Sequence, residues 1–219
     1  MTTHYTPEGG SNKRSSKKRL LNFLAIFVPL IGITVGAYML VVIFSPSMIN
    51  VPFVTGKDPE ETSKKLTQAA GLYGDRLFIP QINVDVAIVT GKDESVLNKG
   101  AWHRKPEQGD PTKTGNFILS AHRFEMGVTP QQTAAKSPFY NINKLKIGDQ
   151  IYVDYQGKRY AYEIEKKYEV APTSVAIEDQ SKEAKMTLYS CTLGGSSDGR
   201  DVFDAKPLGE IAKLEVSSR

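Results

Sequence analysis

The pattern of apolar and polar positions divides the chain into four parts. Residues 20–44 form a run of 25 positions without a charged side chain. A helix rises about 1.5 Å per residue, so this run is long enough to cross a hydrocarbon core of roughly 30 Å. We therefore predict a tail over 1–19, one transmembrane helix over 20–44, a polar stalk over 45–71 and a folded domain over 72–219.

Within the predicted domain, apolar positions recur with a period of two. Such alternation is typical of β-strands, and turn sequences such as GDPTKTG and LGGSSDG separate the runs. The runs lie at 75–91, 115–122, 149–155, 158–170, 185–192 and 200–206. With helices confined to short connections, this pattern predicts a mainly β domain folded as a closed or nearly closed antiparallel barrel.

Charge is concentrated at one end of the chain. Residues 1–19 carry five Lys and Arg against one Glu, while the remaining 23 basic and 23 acidic residues cancel. Because a basic cluster before an apolar helix stays in the cytoplasm, we expect a single-pass protein of the cell membrane with its N-terminus cytoplasmic and its domain outside. The tail is expected to contact membrane lipid, whereas nucleic-acid binding is disfavoured because the domain has no net positive charge.

A cleaved signal peptide is the alternative interpretation of the apolar run. The apolar region of a signal peptide is typically about 7 to 15 residues long and ends at an A-x-A-like site. The run over 20–44 is longer, and the sequence SPS that follows it only partly matches such a site. These differences favour a retained anchor.

The chain contains a single cysteine, Cys191, in the run TLYSC. Outside the cytoplasm a lone cysteine has no disulfide partner, so its thiol is either packed as a small apolar group or kept for its reactivity. Metal binding is disfavoured because one Cys and three scattered His residues lack ligand spacing, and no cofactor is expected.

A thiol nucleophile requires a neighbouring base or cation and a donor for the oxyanion that forms after attack. His4 lies in the predicted cytoplasmic tail, and His103 lies in a turn-rich stretch. His122 ends the apolar run FILSAH, which places it at the rim of the predicted sheet, and Arg200 follows Cys191 by nine positions. Taken singly, each of these residues also fits an ordinary structural or surface role.

Together these segments resemble the sortases, bacterial cysteine transpeptidases of the cell envelope. TLYSC with an arginine nine positions later is similar to the family's TLxTC signature, GNFILSAHR to its histidine segment, and FYNINKLKIGDQIYVDY to its F..L..L..GD hairpin. The resemblance covers roughly 72–217. It implies an eight-stranded barrel with His122, Cys191 and Arg200 as catalytic residues. Two positions depart from the pattern, since Ser190 replaces the usual Thr and Ala121 replaces a common Gly.

The resemblance also implies a reaction. Sortases cleave an LPxTG-like sorting signal of a secreted protein between Thr and Gly, hold the N-terminal part as a thioester, and transfer it to an amine. The amine belongs to a cell-wall precursor or to a pilin lysine. The sequence GAWHRKP is more similar to housekeeping-like or class D and E members than to pilin-polymerising sortases, which are the alternative.

Two rival functions differ in kind from a sortase. Papain-like hydrolases place the catalytic Cys before the His, and L,D-transpeptidases require a His-Gly-Cys element, so neither order of residues matches this chain. The other rival is an anchored barrel that binds a partner without catalysing a reaction. Reaction of Cys191 with a mild thiol reagent distinguishes a reactive thiol from a shielded one.

Overall fold

The computed structural model describes residues 13–48 and 74–213. Helix α1 spans Lys13–Met48 and contains the predicted transmembrane run. From residue 18 to residue 48 it is long and apolar enough to cross a membrane, and most of its large apolar side chains are exposed. This helix fits a membrane anchor. Beyond Met48, the predicted stalk lies outside the described residues.

Eight strands form a closed barrel in the second part of the chain. Their bounds are β1 Arg76–Ile79, β2 Val84–Val89, β3 Ala101–His103, β4 Asn116–Ser120, β5 Gln150–Tyr155, β6 Lys158–Val170, β7 Lys185–Thr192 and β8 Gly195–Lys213. The order around the barrel is β1-β2-β3-β4-β7-β8-β6-β5, and β5 pairs with β1 to close it. The predicted mainly β, closed eight-stranded fold is confirmed.

The helices of the barrel domain are short and lie in the connections between strands. Helix α2 spans Pro130–Lys136. The 3-10 helices span Pro80–Ile82, Glu94–Asn98, Ile142–Lys144 and Val175–Glu178. The last of these lies between β6 and β7, next to the site described below.

Two features of the barrel differ from the sequence prediction. Strand β3 was not predicted, because three residues are too few to show alternation. The expectation of a wholly antiparallel barrel is also wrong, since β2 pairs with β3 and β4 pairs with β7 in parallel. Parallel neighbours require a long crossover connection, which for β4 and β7 contains α2, β5 and β6.

Alternation along β4, β7 and β8 gives these strands two buried faces. The inner face carries a layer of neighbouring, fully buried side chains: Leu119, Leu188 and Phe203. The outer face carries a second buried cluster: Ile118, Tyr189 and Val202, with Ile177 of the Val175–Glu178 helix packed against it. Apolar packing on both faces therefore stabilises the arrangement of β4, β7 and β8.

Candidate active site

The β7–β8 hairpin brings Cys191 and Arg200 together. Cys191 is the second-last residue of β7, and Arg200 lies directly opposite it on β8. Directly opposed side chains on neighbouring strands have Cβ atoms about 5 Å apart and share one face of the sheet. Thr192 pairs with Gly195, so residues 196–199 bulge between the two pairs. This bulge explains why the arginine follows the cysteine by nine positions.

The same bulge orients the Arg200 side chain. Its Nη1 donates hydrogen bonds to the backbone carbonyls of Ser196 and Gly199, both at 2.9 Å. Within residues 74–213, Nη1 makes all the hydrogen bonds of this side chain. The guanidinium is therefore held by the backbone of its own hairpin, and the N–H groups of Nε and Nη2 remain for a ligand.

His122 reaches the same level from the other side of Cys191. Strand β4 ends at Ser120, which pairs with Tyr189 of β7, so two further residues bring His122 level with Cys191. The Ser190 hydroxyl donates to the carbonyl oxygen of Ala121 at 2.9 Å. Ser190 thus links the strand that carries the thiol to the segment that carries the imidazole.

The two departures from the sortase pattern fit this arrangement. Serine at position 190 keeps the hydroxyl that makes the cross-strand hydrogen bond. Among the described residues other than glycine, only Asn83 and Gln156 have a positive φ, so the backbone at Ala121 does not require glycine. Neither substitution disturbs the approach of His122 to Cys191.

One cleft of about 530 Å³ is lined by His122, Cys191 and Arg200. The structure therefore brings all three predicted side chains to the same surface, the outer face of the barrel wall. The rim of the cleft is partly apolar, since Val175 is 76% exposed and Leu193 62% exposed. An extended peptide with an apolar side chain suits such a rim, because an open groove with exposed apolar edges buries apolar area on binding.

The cleft favours a neutral His122 ring. Burial lowers the pKa of His122 below its ordinary value of about 6.5, and Lys136 lowers it further, while Glu125 and Glu94 oppose these effects. A neutral imidazole is the form that accepts a proton. The half-buried ring therefore suits proton transfer with a thiol or an amine in the cleft.

Sequence analysis missed a polar network in the cleft wall. Glu178 accepts hydrogen bonds from Nε of Arg104 at 2.7 Å and from the Tyr189 hydroxyl. The Arg104 guanidinium lies 4.1 Å from the centre of the Trp102 ring. Although burial raises the pKa of Glu178, these two donors lower it overall, so the carboxylate stays ionised. The network fixes the helix that covers the outer face of β7.

Little in the sequence points to this network. Arg104 and Glu178 are 74 positions apart, and each sits in a polar segment typical of a surface. The sequence gives one indirect indication of the network: alternation along β7 places Tyr189 on the same face as Cys191.

The remaining histidine of the domain lies away from the cleft. His103 belongs to β3 rather than to a turn, and its side chain is buried. Its Nε2 lies 2.9 Å from the carbonyl oxygen of Gly109, so this nitrogen donates the hydrogen bond, and its ring contacts Phe117 edge-on at 4.8 Å. Burial lowers the pKa of His103, although the bond to Gly109 opposes the shift. These contacts are those of a structural histidine.

The sequence of the barrel is similar to sequences of known proteins. A family model described as a sortase domain matches residues 77–208. The chain is 34% identical to sortase SrtE1 of Streptomyces coelicolor over 61% of this chain and 40% of that protein. It is 26% identical to sortase A of Listeria monocytogenes over 64% of this chain and 56% of that protein. The chain thus spans about half the length of the curated relatives it matches.

Solved structures agree on the fold. Sortase A of Listeria monocytogenes has a TM-score of 0.54 at 23% identity, over 66% of this chain and 97% of that chain. The Sortase D5 transpeptidase of Clostridium perfringens has a TM-score of 0.52 at 23% identity, over 72% of this chain and 91% of that chain. At these identities the likeness concerns the barrel alone.

Proposed function

Because the chain belongs to the sortase family of cysteine transpeptidases, we propose that it cleaves an LPxTG-like sorting signal and transfers the secreted protein that bears it to an amine of the cell envelope. The observation that carries this proposal is the convergence of three side chains on one cleft: Cys191 of β7, Arg200 of β8 and His122, two residues beyond the end of β4. A thiol flanked by an imidazole and a guanidinium has every group that acyl transfer through a thioester requires.

In the first half of the reaction, the Cys191 sulfur attacks the carbonyl carbon of the Thr–Gly bond. Arg200 donates hydrogen bonds to the oxyanion that develops on the carbonyl oxygen. Neutral His122 accepts the proton of the thiol as the sulfur attacks and passes it to the nitrogen of the glycine as the C–N bond breaks. The products are a thioester on Cys191 and a free amine at the new N-terminus of the leaving peptide.

In the second half, an amine attacks the thioester carbon. Neutral His122 removes a proton from the attacking nitrogen, and Arg200 again donates to the oxyanion. The thiolate then leaves and recovers its proton from His122. The acceptor amine is that of a cell-wall precursor, with a pilin lysine as the alternative.

Membrane anchoring is the second component of the proposal. The apolar part of α1 fits a membrane anchor, and the basic residues before it favour a cytoplasmic N-terminus and contact with anionic lipid. A substrate still held at the membrane then shares a surface with the enzyme. Tethering both partners raises their effective concentration without requiring additional contacts.

The test is to incubate the full chain in detergent micelles with quenched sorting-signal peptides, with and without an added amine. We expect cleavage, a mass increase on Cys191 equal to the acyl fragment, and a transpeptidation product when the amine is present. Cys191→Ala should abolish all three. A folded protein that cleaves no peptide and whose thiol resists mild alkylation would instead be a binding barrel.

A further inference from the structure

A second set of polar side chains adjoins the three cleft residues in the sequence, and two of its members lie on the inner face of β7 and β8. Arg123 follows His122, Ser190 precedes Cys191, and Asp201 follows Arg200. We call Arg123, Ser190 and Asp201 the inner polar layer. Nη1 of Arg123 lies 2.5 Å from Oδ2 of Asp201, and both side chains are largely buried. Each cleft residue is therefore covalently next to one member of this layer.

The inner polar layer links three strands at one level. The order β4-β7-β8 places Arg123 and Asp201 on either side of β7, about 10 Å or two strand spacings apart. Ser190, in the middle strand, holds the segment before His122 through its hydrogen bond to the Ala121 carbonyl. The ion pair and this hydrogen bond therefore connect the segments that carry the imidazole and the guanidinium across the strand that carries the thiol.

Backbone pairing holds Arg200 at this level, because Arg200 pairs with Cys191 of β7 and with Val170 of β6, but it does not hold the segment that follows β4. The β4–β7 ladder ends at the Ser120–Tyr189 pair, so His122 lies beyond it. The β7–β8 register shifts immediately after Cys191. Besides the hydrogen bond from the Phe139 N–H to the His122 carbonyl, the side chains of the inner polar layer therefore connect the His122 segment to β7 and β8.

Burying the Arg123–Asp201 ion pair has a desolvation cost, which offsets its contribution to the stability of the fold. Arg123 is 3% exposed, and within residues 74–213 its Nε has no hydrogen-bond partner. Apolar side chains of similar volume often stabilise a core as well as a buried ion pair does. A long, rigid guanidinium held by one carboxylate is better suited to setting a distance between strands.

We propose that Arg123 and Asp201, together with Ser190, are positioning residues that hold His122 beside Cys191 and Arg200. The inference rests on the proposed transpeptidation for its kinetic test. The ion pair acts through its neighbours: Asp201 lies on the face of β8 opposite to Arg200, and the Arg123 side chain, which borders the cleft, is buried against Asp201.

The kinetic test uses Arg123→Leu, Asp201→Asn and the double variant. Displacing a reacting group by about 1 Å costs on the order of 100-fold in rate, so we expect each single variant to lose about 10- to 100-fold in kcat with little change in KM. Because the two side chains act as one unit, the double variant should lose no more than the worse single variant. Unchanged kcat in both single variants would overturn the proposal.

A second buried ion pair provides the matched control. Arg159 and Asp154 pair between β6 and β5, with Nε–Oδ1 at 2.5 Å and both side chains buried, and neither residue lines the cleft. Asp154→Asn should lower Tm as Asp201→Asn does while leaving kcat near the wild-type value. If the two variants lose kcat in proportion to their loss of Tm, the inner polar layer is only a stabilising contact and the proposal fails.

A spectroscopic readout separates this inference from the proposed function. In protein labelled at histidine, the His122 ring signal, assigned by its disappearance in His122→Ala, should be single and sharp in the wild type. Arg123→Leu and Asp201→Asn should broaden or split it, whereas Asp154→Asn should not. If the wild type turns over no sorting peptide, the proposed function fails and the ring spectra alone decide the positioning role. An unchanged His122 signal in both Arg123→Leu and Asp201→Asn would reject the positioning role.

Discussion

At the scale of single residues, the orientation of Arg200 is set before any substrate binds. Nη1 donates hydrogen bonds to two backbone carbonyls of its own hairpin, and these bonds fix the orientation of the planar guanidinium. A guanidinium held in this way donates at fixed angles, which a lysine ammonium on a flexible stem does not reproduce. A lysine at this position would therefore keep the charge of Arg200 but not its geometry.

This distinction predicts the outcome of Arg200→Lys. If the side chain donates to the oxyanion, the variant should lose on the order of 100- to 1000-fold in kcat, the scale of one removed oxyanion donor. The rate of Cys191 alkylation by a mild thiol reagent should stay unchanged because the charge is kept. Turnover close to the wild-type level would instead limit Arg200 to an electrostatic effect on the thiol.

The His122 ring provides a second prediction at this scale. Glu125 raises and Lys136 lowers the pKa of His122, against a larger lowering by burial. Glu125→Gln should therefore move the NMR titration of the ring to lower pH, and Lys136→Met should move it to higher pH. The His103 signal should not move in either variant. Shifts of the same sign in both variants would contradict the opposite effects of Glu125 and Lys136 on the pKa of His122.

Sequence alone predicted the cleft residues better than the residues that support them. A lone cysteine, an arginine at fixed spacing and a histidine at the end of an apolar run are local patterns. Asp201 is 78 positions from Arg123, and no local pattern separates a buried arginine from one on the surface. Such pairs become visible only when the strand order is known.

At the scale of elements, long alternating runs were predicted well and short ones were not. Strands β6 and β7 have the bounds of the predicted runs 158–170 and 185–192. Strand β3 has three residues and depends on its neighbours β2 and β4 for its conformation. Its position between them also explains why His103, expected in a turn, is buried.

The burial of His103 predicts a pH-dependent stability of the barrel. Because burial lowers the pKa of His103 in the fold, the unfolded chain binds a proton below about pH 6.5 while the folded chain does not. The free energy of unfolding should therefore fall as pH drops through this range. In His103→Gln, whose amide is still able to donate to Gly109, the fall should be smaller.

Urea unfolding at pH 7.5 and pH 5.5 measures this difference directly. The same variant should keep wild-type turnover of sorting peptides at pH 7.5, because His103 does not line the cleft. Equal pH dependence in the wild type and His103→Gln would show that other groups cause the loss of stability.

At the scale of the whole molecule, the side of the membrane on which the barrel lies decides whether the barrel is able to act in the cell envelope. The proposed topology, with residues 1–19 in the cytoplasm, one membrane-spanning helix and the barrel outside, predicts that protease added to intact spheroplasts digests the barrel and spares an N-terminal tag. The control is the same digestion after lysis, in which the tag is also lost. Protection of the barrel in intact spheroplasts would exclude a role in the cell envelope.

The parallel pairing of β4 with β7 has a consequence for the order of folding. Ser120 pairs with Tyr189, 69 positions later, and the hairpin partner of β7 is the last strand of the barrel. Contacts between positions so distant form slowly, because loop closure precedes any gain from pairing. Until β4 has paired with β7 the Cys191 thiol lacks the imidazole beside it, and until β8 has docked it lacks the guanidinium. An incomplete chain thus carries a thiol without acyl-transfer chemistry, and in refolding experiments activity should return at the rate of barrel closure.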